Sequence, residues 1–225
     1  MKNLVNNPFL GSWEDLIKLI SDNTIDCVIT DPPYGLEYVS NRRVASKKHK
    51  MLKNDDNLDW LDNFVDEMYR VLKDNSNFYC FSGWQTIDKF KIAIQKRFKI
   101  NSFLVFDKMN HGTGDLYGSY GNRCEYIFHC SKGRKILNGG RLQNILSVPK
   151  CNSKNHPTEK PIQLLKILIE KSTIKGDLVF DPFSGVNSLG RACVETNRNF
   201  ITSEIDDIYF ETGKTLLNNV RLSLD

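Results

Sequence analysis

Residues 178–206, LVFDPFSGVNSLGRACVETNRNFITSEID, contain the pattern that decides the fold. An apolar run leads into Asp181, a turn follows with Gly185, and residues 188–195 have helix-forming character. A second apolar run then ends in Glu204. This order of strand, glycine turn, helix and acid-tipped strand is typical of one half of a nucleotide-type cofactor domain, in which the acid accepts hydrogen bonds from ribose hydroxyls.

The glycine spacing of this turn indicates which kind of cofactor it suits. A dinucleotide fingerprint reads Gly-x-Gly-x-x-Gly, whereas residues 185–190, GVNSLG, keep only the first and last glycines. A pyrophosphate at the helix N-terminus is therefore less favoured, and a cofactor without phosphate is indicated. On the glycines alone, a purely structural turn is the alternative, and the acid about 20 residues further on favours the cofactor.

A second strand tip has the same layout in ITDPPYG, residues 29–35. Proline fixes its own φ and has no N–H, so this segment presents carbonyl oxygens and the Asp31 carboxylate without competing donors. Such an acceptor array suits an exocyclic amino group, and Tyr34 is placed to stack on the same planar ring. Acceptors aimed at the amino hydrogens would stabilise positive charge that develops on the nitrogen. An Asp-Pro turn with a packed tyrosine is the alternative.

Strands and helices alternate along most of the chain. Helices are predicted at 12–21, 58–73, 85–96, from 161, at 188–195 and at 208–222, and strands at 25–30, 77–81, 100–106, 125–130, 178–180 and 199–203. The alternation predicts an α/β fold with a mostly parallel sheet covered by helices on both faces. Ligands of such sheets bind beyond the carboxyl ends of the strands, where both Asp-Pro motifs are predicted to lie.

Length, charge and hydropathy narrow the class of protein. The 225 residues suit one globular domain. No apolar stretch approaches the roughly 20 residues that span a bilayer, and the N-terminus lacks a secretion signal, so we expect a cytoplasmic protein with no membrane partner. The net charge of +4 is compatible with a polyanionic partner but does not require one.

The six cysteines raise the question of a zinc site, which we do not expect. Cys124 precedes His129 by five residues and Cys151 precedes His156 by five, but no Cys-x-x-Cys pair is present. The segment from Cys124 to Cys130 alternates like a strand, which would direct His129 and Cys130 to opposite faces.

Three motifs in order, TDPPYG, HPTEKP and FDPFSG, resemble those of the DNA amino-methyltransferases that use S-adenosylmethionine to modify adenine N6 or cytosine N4. The catalytic motif precedes the cofactor motif, as in the family's beta group, which is a circularly permuted order. The resemblance covers roughly residues 11–208 and implies a Rossmann-like methyltransferase sheet. It implies a single domain over 1–225, with 107–155 as a small target-recognition insertion.

The resemblance also implies roles for individual residues. Asp31 and the Pro32 carbonyl, with Pro33 shaping the segment, would hold the target amino group, while Tyr34 would stack on a flipped base. The residues that would bind the cofactor are Thr158, Lys160, Asp181, Phe183, Ser184, Gly185 and Glu204, of which Thr158 and Lys160 would hold its carboxylate. Family members that carry DPPY mostly methylate adenine, so Asp31 favours adenine over cytosine N4.

The expected partner is double-stranded DNA, and a homodimer is a further expectation by analogy. Basic residues proposed to contact phosphates are Lys47, Lys48, Lys108, Arg123, Arg134 and Lys135. Asn187 replaces a glycine that is common in the family's cofactor loop.

Three rival functions stay open: a cytosine-N4 methyltransferase, a non-catalytic DNA-binding protein with a degenerate cofactor loop, and, more distantly, a dinucleotide oxidoreductase.

Overall fold

A computed structural model of the chain describes residues 1–35, 57–111, 117–151 and 159–224. The strands are β1 (Pro8–Leu10), β2 (Ile25–Thr30), β3 (Leu72–Ser82), β4 (Lys99–Asp107), β5 (Cys124–Lys132), β6 (Ile145–Ser147), β7 (Leu178–Asp181) and β8 (Asn199–Glu204). The helices are α1 (Trp13–Ile17), α2 (Leu61–Val71), α3 (Ile87–Ile94), α4 (Ile162–Ser172), α5 (Ser188–Glu195) and α6 (Asp207–Leu224).

The eight strands form one sheet in the order β1-β8-β7-β2-β3-β5-β4-β6. Neighbouring strands run parallel from β1 through β8, β7 and β2 to β3. β5 pairs antiparallel with both β3 and β4, and β6 runs parallel to β4. This mostly parallel sheet confirms the fold class expected from the alternation of strands and helices.

Helices cover both faces of the sheet, because successive residues of each strand point to opposite sides. On β2, Val28 faces a core formed with α1, α2 and α3, while Cys27 and Ile29 face a second core formed with α4, α5 and α6. Buried strands that carry apolar residues on both faces are the expected result of this arrangement.

Two strands were not predicted, and three helices end earlier than predicted: α1 at Ile17 rather than 21, α2 at Val71 rather than 73 and α3 at Ile94 rather than 96. β1 and β6 each have three residues, which is too short for a period-2 pattern. The helical pattern of 58–73 ends at Val71, and the backbone is already extended at Leu72. The pairing of β2 with β3 is irregular just beyond this point, where Asn75 has a positive φ of 58°.

The segment 107–155, expected to be a small insertion, contributes β5 and β6 to the main sheet. β5 lies between β3 and β4, so this segment is in part integral to the sheet, and its expected role in target recognition stays a prediction. Among the helices of the described ranges, none has the length and apolar character that a membrane crossing requires.

The histidine considered for zinc is part of the sheet. His129 stacks on Tyr79, with ring centroids 5.0 Å apart, and its ring nitrogens pair with Ser102 and Asn77 at 3.0 and 3.3 Å. Cys130 lies in the core on the other face. His156 lies outside the described residues.

Candidate active site

Two neighbouring strand tips form the centre of the candidate site. β2 and β7 are adjacent, with Val28 opposite Phe180. The chain passes from β2 to β3 on one side and from β7 to β8 on the other, so the strand order reverses between them. Such a reversal opens a crevice beyond the carboxyl ends of the strands, where ligands bind. The Thr30 hydroxyl donates to Oδ1 of Asp181 at 2.9 Å, which joins the two motifs.

The DPPY segment begins where β2 ends. β2 ends at Thr30, since the two prolines that follow Asp31 have no N–H for the sheet. Tyr34 donates its hydroxyl to Oδ1 of Asp31 at 2.5 Å, and its ring meets Phe90 edge-on with centroids 6.3 Å apart. The ring is therefore packed against the core, and its stacking on a base stays a prediction.

Lys160 lies against the carboxylate of Asp31. Its ammonium donates to Oδ2 of Asp31 and lies 3.1 Å from Oε2 of Glu125, and it is 5.0 Å from the centre of the Phe81 ring. Lys108 contacts the other oxygen of Glu125 at 3.5 Å. Two carboxylates and two ammonium groups thus alternate at the carboxyl ends of β2 and β4 and the start of the antiparallel β5, which balances their charges.

Glu125 had no role in the sequence analysis, although a signal was present. It is an acid near the start of β5, a strand that is otherwise mostly apolar or buried. Its partners come from residue 108, at the end of β4, and from residue 160, just before α4. Neither contact can be read from sequence spacing, because both depend on the order of strands in the sheet.

Burial and neighbouring charges shift the pKa values of Asp31, Glu125 and Tyr34. Burial raises the pKa of Asp31, Lys160 opposes that rise, and Glu125 adds to it. Burial also acts to raise the pKa of Glu125, but Lys160 and Lys108 outweigh it and hold the pKa below the usual value. Burial and the neighbouring Asp31 raise the pKa of Tyr34, so its hydroxyl stays protonated and can donate.

Asp181 is the last residue of β7 and is buried. Its Oδ1 accepts hydrogen bonds from the Thr30 hydroxyl at 2.9 Å and from the Phe183 amide at 3.0 Å. Burial raises the pKa of Asp181 to about 7, with smaller contributions from the charges of Asp31 and Glu204. A cationic ligand at this edge would favour the ionised carboxylate.

Glu204, the last residue of β8, closes the glycine turn. Its Oε2 accepts from the Gly185 amide and its Oε1 from the Asp206 amide, each at 2.8 Å. Gly185 has a φ of 53°, which favours glycine. Ser184 donates both its amide and its hydroxyl to the carbonyl of Ser203, at 2.9 Å each. Ser184 therefore holds the turn against β8, and each Glu204 oxygen retains a lone pair for a ligand.

Asn187 has the conformation that the usual glycine would have. Its φ of 57° and ψ of 44° are left-handed, a region that asparagine tolerates better than most residues. Its side chain caps α5 by accepting from the Gly190 amide at 3.1 Å. Gly213 of α6 packs so closely that an added Cβ would lie 2.9 Å from the carbonyl carbon of Val186. Asparagine at position 187 therefore keeps the left-handed backbone that glycine would adopt in this loop, and its side chain caps α5.

Phe183 contributes mainly to packing. Its ring lies 5.7 Å from that of Trp60 and 5.6 Å from that of Phe64, centroid to centroid. The side chain is half-buried against the first core. Phe183 therefore fixes the turn after β7, and its expected contact with a cofactor stays a prediction.

The HPTEKP motif is held against the start of α5. Glu159 accepts from Nη2 of Arg191 at 2.5 Å, and Arg191 also donates to the Ser188 hydroxyl at 3.0 Å. The Glu159 side chain is 4% exposed, so this pair is buried. It anchors the residue before Lys160 to the helix that follows the cofactor turn. Thr158 lies outside the described residues.

The basic residues expected to contact DNA fall into three groups. Lys47 and Lys48 lie outside the described residues. Lys108 and Arg123 lie at the carboxyl edge of β4, where Lys108 pairs with Glu125 and Arg123 with Asp107, the latter through Nη2 and Oδ2 at 2.7 Å. These two side chains are near the DPPY segment, but each already forms an ion pair with a carboxylate.

Arg134 and Lys135 lie at the opposite edge of the sheet, which argues against their assignment to DNA. They follow β5, whose antiparallel direction brings Lys132 opposite Ser76, near the start of β3. The Arg134 amide donates to the side chain of Asn75, at that same edge. The sequence could not show this, because the direction of β5 is not encoded in its apolar pattern.

The fold thus brings the predicted acceptor array and the predicted cofactor turn together at one edge of an α/β sheet. Residues 25–147 and 137–215 match the family model for DNA methylase, the N6 and N4 methyltransferases. The chain therefore belongs to this family of DNA methyltransferases, which use S-adenosylmethionine as methyl donor.

Curated relatives match over most of their length. YubD of Escherichia coli (strain K12), a methylase by name, is 32% identical over 203 residues, covering 90% of this chain and 86% of YubD. The Type II methyltransferase M2.MboI of Moraxella bovis is 29% identical, with coverages of 92% and 86%. The DNA adenine methyltransferase YhdJ of Escherichia coli (strain K12) is 25% identical, with coverages of 88% and 77%.

Solved structures share the fold. The M1.HpyAVI complex with S-adenosylmethionine superposes with a TM-score of 0.74 at 22% identity, covering 94% of this chain and 99% of the other. The cytosine-N4-specific PvuII DNA methyltransferase superposes with a TM-score of 0.77 at 16% identity, covering 97% and 92%. At these identities the similarity establishes the fold.

Proposed function

We propose that the protein transfers a methyl group from S-adenosylmethionine to the N6 amino group of an adenine in double-stranded DNA. The observation that carries the proposal is the position of Asp31, an acceptor at the tip of β2, beside the buried Asp181 at the tip of β7. The aspartate of DPPY favours adenine, and the relative YhdJ is named as an adenine methyltransferase.

The acceptors of the DPPY segment would act on the target amino group. That amino group is a weak nucleophile because its lone pair is delocalised into the base, and its hydrogens would be held by Asp31 and by the Pro32 carbonyl once the base is flipped out. S-adenosylmethionine supplies an electrophilic methyl group. On transfer the cofactor would leave as a neutral thioether, and the proton lost by the amino nitrogen would pass to the Asp31 carboxylate that holds it. The Asp31 carboxylate stabilises the positive charge that develops on nitrogen.

The cofactor would occupy the turn after β7, and the residues present fit it. Asp181 and Glu204 are carboxylates that suit a sulfonium ion and ribose hydroxyls, and Gly185 allows close backbone approach. Within the described residues, Nδ2 of Asn187 is buried and makes no hydrogen bond. Ser184 and Phe183 would shape the turn and Thr158 would face the carboxylate of the cofactor, whereas the Lys160 ammonium, expected at that carboxylate, lies against Asp31 and Glu125.

DNA would lie across the carboxyl edge of the sheet. Lys108 and Arg123 flank this edge, and the segment that contains Lys47 and Lys48 follows the DPPY motif in sequence. Phosphate contacts from such residues position the duplex without reading its sequence. We keep a homodimer as part of the proposal by analogy with the family's beta group.

Cytosine N4 is the second candidate, because the PvuII enzyme, which is cytosine-N4-specific, shares the fold. The test is to incubate the protein with DNA and S-adenosylmethionine, digest the DNA to nucleosides and measure their masses. We expect N6-methyladenine and no N4-methylcytosine, with unmodified nucleosides when the cofactor is omitted. Methylcytosine alone would contradict the assignment of the base.

A further inference from the structure

Lys160 contacts two carboxylates, and this sharing has a consequence for catalysis. Resting on the proposed function, we propose that Glu125 is a positioning residue that shares the Lys160 ammonium with Asp31, so that Asp31 can release this ammonium and accept the target amino group. Neither the family assignment nor the relatives assign a role to Glu125.

The carboxylate of Asp31 already accepts hydrogen bonds from two donors. Both of its oxygens accept a hydrogen bond, Oδ1 from the Tyr34 hydroxyl and Oδ2 from the Lys160 ammonium. An amino group that enters the site must therefore share or displace one of these donors. A lysine paired with Asp31 alone would hold it tightly, since the Lys160 side chain is 9% exposed and water screens the pair poorly.

Glu125 is a second carboxylate partner for Lys160, and this allows the ammonium to move away from Asp31. Its Oε2 lies 3.1 Å from the Lys160 ammonium, so the lysine can lean towards Glu125 without losing a counter-charge. A buried ammonium left with no carboxylate would be strongly unfavourable. Lys108, 3.5 Å from the other oxygen, keeps Glu125 itself ionised. The group thus remains neutral when Lys160 moves between its two partners.

The two variants Lys160→Met and Glu125→Gln should shift the titration of Asp31 in opposite directions. Lys160 stabilises the Asp31 carboxylate, so its removal raises the pKa of Asp31. Glu125 destabilises that carboxylate and also draws Lys160 away, so its removal lowers the pKa. Charged or titratable groups that face Asp31 from the surrounding elements are Tyr34, Lys160, Glu125, Asp181 and Cys80. None of the others changes in these variants.

The main experiment is the pH dependence of kcat/KM for DNA methylation. We expect the acid limb to move up by about one pH unit or more in Lys160→Met. In Glu125→Gln it should move down by a smaller amount, with a lower plateau because Lys160 now binds Asp31 more tightly. Shifts in the same direction, or no shift, would overturn the proposal.

The chain offers a matched control for Glu125→Gln. Glu195 pairs with Lys166 at 3.0 Å, and its side chain is 31% exposed compared with 26% for Glu125. It lies at the end of α5, away from the strand tips. Glu195→Gln should leave the acid limb and the plateau unchanged. If Glu125→Gln behaves like Glu195→Gln, Glu125 has no positioning role.

A stability cycle tests the Asp31–Lys160 pairing without any activity. At pH 8, in the absence of DNA and cofactor, Lys160→Met should lower the thermal midpoint because it leaves the buried Asp31 charge uncompensated. Adding Asp31→Asn should restore part of the loss, and failure to do so would contradict the pairing. The thermal midpoints can be measured even if the wild-type protein methylates no DNA, so failure of the proposed function can be told apart from failure of the inference.

Discussion

The hydroxyl of Thr30 donates a hydrogen bond to Oδ1 of Asp181 across 2.9 Å. This bond ties the strand that leads into DPPY to the strand that carries the cofactor motif. It also fixes the rotamer of a buried carboxylate whose pKa is raised to about 7. The hydrogen bond thus connects the proposed acceptor for the base and the proposed site for the methyl donor through one side-chain contact.

The first prediction concerns the pH dependence of stability. The folded pKa of Asp181 lies near 7, above its usual value of 3.8, because burial favours the protonated form. Its contribution is therefore fully present below pH 3.8 and is lost as pH rises through 7. Relative to wild type, Asp181→Asn should gain stability between pH 5 and pH 8, by up to a few kcal/mol.

Urea unfolding at pH 5 and pH 8 measures this difference directly. Asp26→Asn is a suitable control, since Asp26 lies on the neighbouring β2 and pairs with Lys73 at 2.6 Å. If the gap between wild type and Asp181→Asn is the same at both pH values, Asp181 does not titrate in this range. The cofactor's positive charge should favour the ionised form, so the measurement is made without it.

The second prediction concerns Asn187. Asn187→Ala removes the cap of α5 and places a side chain with no local hydrogen bond in the left-handed region. We expect a loss of about 2–3 kcal/mol in the free energy of unfolding. Asn187→Gly keeps the backbone conformation and should cost only a few tenths of a kcal/mol. Affinity for S-adenosylmethionine should follow the same order.

Asn197 separates the two effects in Asn187→Ala. It also has a left-handed φ, of 59°, but it follows α5, where its backbone amide, and not its side chain, donates to the carbonyl of Val194. Asn197→Ala should therefore show the backbone cost alone. If Asn187→Ala and Asn197→Ala lose the same stability, the cap contributes nothing, and chemical denaturation of both variants decides the point.

The third prediction concerns Glu204. Its carboxylate accepts the Gly185 amide at 2.8 Å and is proposed to hold the ribose hydroxyls. Glu204→Gln keeps the size of the side chain but weakens hydrogen bonds to a charged acceptor. Affinity for S-adenosylmethionine, measured by calorimetry, should fall roughly ten- to a hundredfold. An unchanged affinity would place the ribose elsewhere.

Much of this architecture was predictable from sequence because its signals are local. Apolar runs separated by helical patterns revealed the core strands β2, β3, β7 and β8. The residues of both strand-tip motifs were found because proline, glycine and an acid mark the ends of strands. Asn187 also carried a usable signal, since asparagine is among the few residues that tolerate a left-handed conformation.

The rest depends on how distant segments meet. Glu125 and Lys160 are brought together by the placement of β5 beside β3 and by the start of α4, and neither contact has a sequence period. The same limit hid the position of Arg134 and Lys135 at the opposite edge of the sheet, which is set by the antiparallel direction of β5. The edge strands β1 and β6 are three residues each, too short to show alternation.

The most direct test of the central claim is single-turnover methyl transfer by Asp31→Ala, with cofactor affinity measured on the same preparation. We predict that transfer to DNA falls by about a hundredfold or more, while the affinity for S-adenosylmethionine stays within about threefold of wild type. Asp26→Ala, on the same strand but remote from the edge, should retain transfer. Near-normal methyl transfer by Asp31→Ala would contradict the assignment of Asp31 as the acceptor of the target amino group.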